Sequence, residues 1–420
     1  MRACSRRAYV SIYTASIVRI LVVATKTPWP PADGGRLVLW LALQGLAQAG
    51  HEIALVAPVD ASRVAQSVDD QIQLRTVCQP NLVEVRHRSF LTLAVDCIRR
   101  RRPFSLSRHA SDAVRDAAAE QIRKFRPDVI HAEQLQSLAN CDADGELAIP
   151  LLLRMQNVES DLWTQVSRTR WWRRCLAIEG WRLQQAERRA IAGSDQIVTL
   201  TSCDADALRV SVEPSDAARI CCVPPTFAVD LPAAPAVSGY PALVLAGSGG
   251  WWPNTQGTQW FLDAVWPKLQ RSFPAVRLHQ FGGEAAACSG VRWHPAPTDS
   301  GAAFPRNAIV IVPLHVASGI RMRILEAWAR GVPVVATTVA ARGLMVESFR
   351  ELIIADTADQ YIEALRQLMS DDSLPARLVS NGRAYLRQHH QCGDVTRALL
   401  AAYERAVSEA SLRMPEAHRS

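Results

Sequence analysis

Residues 308–337 read AIVIVPLHVASGIRMRILEAWARGVPVVAT, and this stretch decides how the chain is read. An unbroken apolar run ending at Pro313 suits a parallel strand buried on both faces. A short loop with Ser318 and Gly319 then opens a helix that carries Arg321, Arg323 and Glu326. Gly331 stops the helix, and Val332–Ala336 supplies the next buried strand. A strand, a glycine loop and a helix start together form an anion site. The first turn of a helix leaves its backbone N–H groups without partners, at the positive end of the helix dipole. Gly319 allows close approach of the backbone. Arg321 and Arg323 add charge-assisted donors suited to a diphosphate. Glu326 is placed to accept hydrogen bonds from sugar or ribose hydroxyls.

The same alternation extends outward in both directions. Before the stretch, Leu243–Gly247 is a strand, about 255–273 a helix and Val276–Phe281 a strand; after it come helices at about 357–370 and 375–412. At the front, Ile20–Thr25 is a strand, followed by a loop holding Gly34 and Gly35 and a helix at about 36–49 closed by Gly50. Strands at Ile53–Ala57, Val129–His131, Ala148–Arg154 and Gln196–Thr201 alternate with helices at about 112–125 and 171–192. The proline-rich segment around 223–240 interrupts the series and reads as a linker. We therefore expect an α/β chain of two doubly wound, Rossmann-like domains facing a cleft. Its divisions are an acceptor-side domain at 18–225, a linker at 226–240, a donor domain at 241–395, and a C-terminal helix at 396–420 packing back on the first domain. Residues 1–17 read as a non-native or disordered extension before a start at Val18. Ligands of open parallel sheets sit beyond the carboxyl ends of the strands. That rule selects Gly34, Gly35, His131, Gly282, Gly283, Ser318, Gly319 and Ile320 as candidates beside the two arginines and Glu326. His131 is expected to face the cleft, with a core histidine as the other reading. Gly282 and Gly283 suit either a nucleotide approach or a plain turn.

The strings GIRMRILEA and GVPVVAT resemble the donor-binding signature of the family-4 glycosyltransferases of the GT-B fold, with Arg323 where a lysine is usual. PADGGR, RPDVIHAEQ, NVESDLW and ERRAIAGSDQIVTLTSCDADAL are similar to that family's first domain. GSGGWWPNTQGTQWFLDAVWPKL is similar to the donor-domain opening of a bacterial subset that builds exopolysaccharides. The resemblance implies a hexosyltransferase that moves a sugar from a nucleotide-sugar donor to a saccharide or lipid-linked acceptor, with retention and without a metal. Arg321, Arg323, Glu326 and His131 would be its catalytic set, and no cofactor is implied. Ser318 stands where the family has the first glutamate of its signature, a residue that contacts the donor sugar, so the sugar's identity stays open. A nucleotide-sugar epimerase, a sugar-phosphate synthase of the same fold, and a non-catalytic nucleotide-binding scaffold are the competing readings.

Bulk properties fit this picture. A chain of 420 residues exceeds what one core usually organises, and 49% hydrophobic with 21% charged residues excludes a disordered chain. The ten cysteines form no metal-binding spacing, so reduced thiols in the cytoplasm are expected. Net charge is +7. Arginine concentrates in Arg86–Arg108, which holds seven arginines against the single acid Asp96, and in Arg168–Arg174, which also holds Trp171 and Trp172. Arginine mixed with tryptophan suits an anionic membrane surface, here the inner face of the plasma membrane. A solvated basic face is the plain alternative, and no specific nucleic-acid partner is expected.

Overall fold

The structure is a computed structural model that describes residues 17–60, 67–86, 88–99, 102–141, 149–169, 171–247, 251–285 and 288–413. Two parallel sheets form its frame. The first contains β1 (Arg19–Val23), β2 (Glu52–Asp60), β3 (Gln79–Val85), β4 (Val129–Glu133), β5 (Leu151–Met155), β6 (Gln196–Thr199) and β7 (Ile220–Cys222), in the order β3-β2-β1-β4-β5-β6-β7. The second contains β8 (Ala242–Ala246), β9 (Arg277–Phe281), β10 (Val291–His294), β11 (Ala308–Val312), β12 (Val334–Ala336) and β13 (Ile353–Ile354), in the order β10-β9-β8-β11-β12-β13. The strand order reverses between β1 and β4 in one sheet and between β8 and β11 in the other. A crevice opens at such a switch point, beyond the strand ends.

Local chemistry explains the elements that flank these switch points. Every residue of β11 is buried, as its continuous apolar sequence requires. The helix Met322–Ala329 ends in a Schellman turn: Val332 N–H donates to Ala327 O at 2.8 Å and Gly331 N–H to Trp328 O at 3.1 Å, with Gly331 at φ +75°. The helix Gly34–Gln48 is capped by Asp33, whose side chain accepts Arg36 N–H. Asp33 also pairs with Lys26 at 2.8 Å. Burial alone would raise the Asp33 pKa, but Lys26 and Arg36 hold it below its ordinary value.

One core cluster joins β8, β11 and β12 to the helix Met322–Ala329, and takes in Val38 and Leu200 from the first unit. Another joins β1, β2 and the helix Gly34–Gln48 to the C-terminal helix Cys392–Arg413, through Val395, Leu399, Ala402, Tyr403 and Ala406. The chain therefore returns to its first unit at the end. The connecting segment lies along the second unit, where Leu231 N–H donates to Ala329 O and Ala234 N–H to Phe304 O, each at 2.9 Å.

Several elements differ from the sequence reading. The single helix expected at about 171–192 is a 3-10 turn, Trp171–Leu176, followed by an α-helix, Ala177–Gly193. The helix expected at about 255–273 begins at Trp252 and contains a π turn at Phe261–Val265. Pro267, just beyond that turn, has no N–H to continue the helical ladder. Residues 1–16, most of the extension read from the sequence, and residues 248–250 lie outside the described residues.

Candidate active site

The loop after β11 meets the first unit rather than open solvent. Ser318 Oγ donates to Asp204 Oδ1 at 3.1 Å and accepts Val158 N–H at 2.8 Å. Gly319 N–H donates to the same Asp204 oxygen at 3.4 Å. Gln165 clasps Ala317 from both sides, its Nε2 giving to Ala317 O at 3.0 Å and its Oε1 taking Ala317 N–H at 3.1 Å. Gly319 has φ +76°, and a Cβ there would lie 2.2 Å from Gln156 O. The sequence reading assigned this glycine to ligand approach. Its closest neighbour is instead the backbone of the first unit, and that contact alone requires glycine. The Ile320 side chain is buried in the core, so only its backbone can serve a ligand.

Arg321 and Arg323 stand at the start of the helix Met322–Ala329. Arg321 lies over the ring of Trp251, 5.1 Å from its centroid, and its Nη2 donates to Ser318 O. Its buried Nε has no hydrogen-bond partner among the described residues. Arg323 Nη1 reaches Asn254 Oδ1 at 3.4 Å. Burial, joined at Arg321 by the charge of Arg323, lowers the pKa of both guanidiniums to about 10. Both remain protonated at neutral pH. Among the described residues neither forms an ion pair. Two adjacent, desolvated cations of this kind call for an anion.

The remaining candidates surround this pair. A Cβ on Gly34 would touch Met322 Cγ at 3.4 Å, so the N-termini of the two helices face each other across the cleft. Gly35 packs on a polar wall: Gln156 Nε2 donates to Gly35 O at 3.1 Å and to Glu133 Oε1 at 2.7 Å. Gln134 Nε2 donates to Gln156 Oε1 at 2.9 Å. Gly282 and Gly283 both have positive φ, and a Cβ on Gly282 would lie 2.5 Å from Gly247 O. Gly247 in turn borders Arg323. Glu326 is buried, and its Oε1 accepts Ser300 Oγ–H at 2.6 Å and Arg330 Nε–H at 3.0 Å.

His131 does not belong to this cluster, which corrects the expectation that it faces the cleft. It is the middle residue of β4 and is buried under the C-terminal helix. Its Nδ1 lies 2.7 Å from Tyr403 Oη and its Nε2 3.0 Å from Glu133 Oε2. The physical reason is the returning helix, which covers that face of the sheet. Burial lowers the His131 pKa. Burial alone would raise the Glu133 pKa, but Arg154 and then His131 bring it down to about 2.

The sequence reading passed over Asp204, Gln156 and Gln134. Thr201 caps the helix Ser202–Arg209 by accepting Asp204 N–H at 3.1 Å. The Thr201-x-x-Asp204 spacing was therefore a legible helix start. Nothing in it announced a partner in the other unit.

Known proteins share this fold. Residues 33–226 match a family model described as "Glycosyl transferase 4-like domain", and residues 241–371 match one described as "Glycosyl transferases group 1". Among solved structures, HepE of Anabaena in complex with UDP-glucose has a TM-score of 0.62 at 13% identity, covering 92% of this chain and 99% of that one. Sucrose-phosphate synthase from Thermosynechococcus elongatus has a TM-score of 0.67 at 13% identity, covering 94% and 100%. A glycosyltransferase from Rickettsia africae has a TM-score of 0.61 at 11% identity, covering 94% and 99%. With a matched family domain on each sheet and the facing arrangement of the two sheets, the chain belongs to the family-4 glycosyltransferases of the GT-B fold, enzymes that transfer a sugar from a nucleotide sugar.

Proposed function

We propose that this enzyme binds the diphosphate of its nucleotide-sugar donor at Arg321 and Arg323, and transfers the sugar with retention of configuration and without a metal. The observation that carries the reading is the pair of half-buried guanidiniums, one with an unpartnered Nε, at a helix start on the switch point of the second sheet. As the bond from the sugar C1 to the diphosphate oxygen breaks, negative charge grows on the departing phosphate. Two fixed cations and the facing helix N-termini are oriented in advance to stabilise it. The acceptor oxygen forms its bond to C1 on the face the diphosphate leaves, and its proton passes to the departing phosphate. Gly34 and Gly35 admit the transferring sugar close to the backbone. Gly282 and Gly283 border the nucleotide, Ser318 and the backbone at Ile320 border the sugar, and Glu326 receives a hydroxyl on its second oxygen. The UDP-glucose held by the Anabaena neighbour supports a uridine diphosphate donor.

The acceptor in this reading is a saccharide or a lipid-linked saccharide, in exopolysaccharide or glycan assembly at the cytoplasmic face of the membrane. In this reading the enzyme is peripheral there; no helix among the described residues is long and apolar enough to cross a membrane. The test is a panel of UDP- and GDP-sugars, with and without a chelator, read by nucleoside diphosphate release and by the anomeric configuration of the product. Release that survives the chelator, with a retained anomer, is expected. A chelator-sensitive reaction, an inverted product, or a product epimerised but not transferred would contradict the reading.

A further inference from the structure

One face of the first unit is apolar where it meets solvent. Phe90, Leu91 and Val95 on the helix Phe90–Arg99, Trp171 on the 3-10 turn, and Ile178 and Trp181 on the helix Ala177–Gly193 are each 54–81% exposed. Leu91 and Val95 are four apart and Ile178 and Trp181 three apart, so each pair shares a helix face. The elements adjoin: Arg182 donates to Arg102 O at 2.7 Å and Cys97 O at 3.4 Å, and Glu179 accepts Phe104 N–H. Phe90 and Phe104 lie with ring centroids 6.0 Å apart and planes tilted by 45°.

The charge around these side chains has one sign. Arg99, Arg168, Arg174, Arg188 and Arg189 are exposed, whereas the acids nearby are paired, Asp96 with Arg88 at 3.3 Å and Glu179 with Arg182 at 3.3 Å. Arg100, Arg101, Arg170 and the Trp172 side chain lie outside the described residues. Soluble proteins seldom leave an apolar cluster of this size uncovered. Apolar and indole side chains within a field of arginines complement an anionic bilayer, in which the apolar groups enter the acyl boundary and the cations meet phosphate headgroups.

We infer that this face docks on an anionic lipid bilayer by inserting Phe90, Leu91, Val95, Trp171, Ile178 and Trp181. Docking there sets the rim of the cleft against the lipid. The Arg173 guanidinium, in the 3-10 turn, sits 4.2 Å from the ring centroid of Trp252, next to the Trp251 that underlies Arg321. A lipid-linked acceptor would thus enter beside the donor arginines, a purpose that rests on the transfer reading above, whereas the docking itself does not.

The experiment uses the full chain with phosphatidylcholine–phosphatidylglycerol vesicles, pure phosphatidylcholine vesicles and vesicles with brominated acyl chains. Binding to the anionic vesicles, weak binding to the neutral ones and quenching of tryptophan fluorescence by brominated chains are expected. The triple variant Leu91→Ser, Val95→Ser, Ile178→Ser should partition about tenfold or more weakly, since each buried methylene contributes to insertion. Arg99→Gln with Arg174→Gln should weaken anionic binding and flatten its salt dependence. Exposed substitutions leave stability nearly unchanged, and melting curves check this. Nucleoside diphosphate release from a soluble donor should be unaffected, which separates this test from that of the transferase reading. Absence of anionic binding, partition unchanged in the triple variant, or a dimer in ultracentrifugation that the triple variant dissolves would overturn the docking face. If the triple variant does not fold, brominated-chain quenching of the unaltered protein decides the question alone.

Discussion

Ser318 and Asp204 belong to opposite units of the molecule and share a 3.1 Å hydrogen bond. The same Asp204 oxygen takes Gly319 N–H, so one carboxylate of the first unit receives two donors from the loop of the second. This bond ties the loop that precedes Arg321 to the first unit. Asp204→Ala removes the acceptor for both donors and should raise the donor KM by about tenfold, because each charge-assisted bond contributes roughly 1.5–3 kcal/mol. Steady-state kinetics with small-angle scattering would check it: a larger radius of gyration without donor is expected, and an unchanged KM and radius would refute the role.

Gly319 tests the same contact by crowding it. At φ +76°, with Gln156 O 2.2 Å from an added Cβ, alanine forces the two units apart. Gly319→Ala should lower transfer by about tenfold or more, since about 1.4 kcal/mol corresponds to each factor of ten. Gly193→Ala is the control, because nothing lies within 4 Å of a Cβ there. Equal activity of the two variants would show that the loop tolerates opening.

His131 and Tyr403 hold the C-terminal helix on the first sheet. Tyr403→Phe leaves His131 Nδ1 unpartnered and should cost about 1–3 kcal/mol of stability, with the donor dissociation constant unchanged. Chemical denaturation and calorimetric titration would separate these effects. A loss of donor affinity with normal stability would return His131 to the cleft.

His390 offers a pH readout. Its Nδ1 lies 2.6 Å from Pro225 O, at the point where the chain turns back toward the first unit. Burial lowers its pKa to about 4 from 6.5. Between those values the unfolded chain binds more protons, so stability falls as pH drops from 6.5 to 4, while above 6.5 the contribution is complete. The drop attributable to this group should be at most roughly 3 kcal/mol. His390→Asn should flatten the stability curve in that window, and parallel curves for the two proteins would refute the assignment.

The fold was legible because parallel strands buried on both faces leave continuous apolar runs, as at Ile20–Val23 and Ala308–Val312, and because glycine and proline mark the breaks between them. Shorter or half-exposed strands such as β10, whose central residues Arg292 and Trp293 face solvent, carry no such signal. Arg321, Arg323, Gly34 and Gly282 were legible as site candidates because strand ends and helix starts are set by local sequence. The partners of Ser318 and His131 were not. Each contact depends on a distant element, Asp204 across the cleft and Tyr403 on the returning helix, and no local pattern encodes how such elements meet.

The most direct test of the account is calorimetric titration of UDP into the protein and into Arg321→Ala, Arg323→Ala and the double variant. If the two guanidiniums hold the diphosphate, each single variant should bind about tenfold or more weakly, and the double variant should show no measurable binding while melting close to the unaltered protein. UDP affinity unchanged in the double variant would contradict the donor site described here.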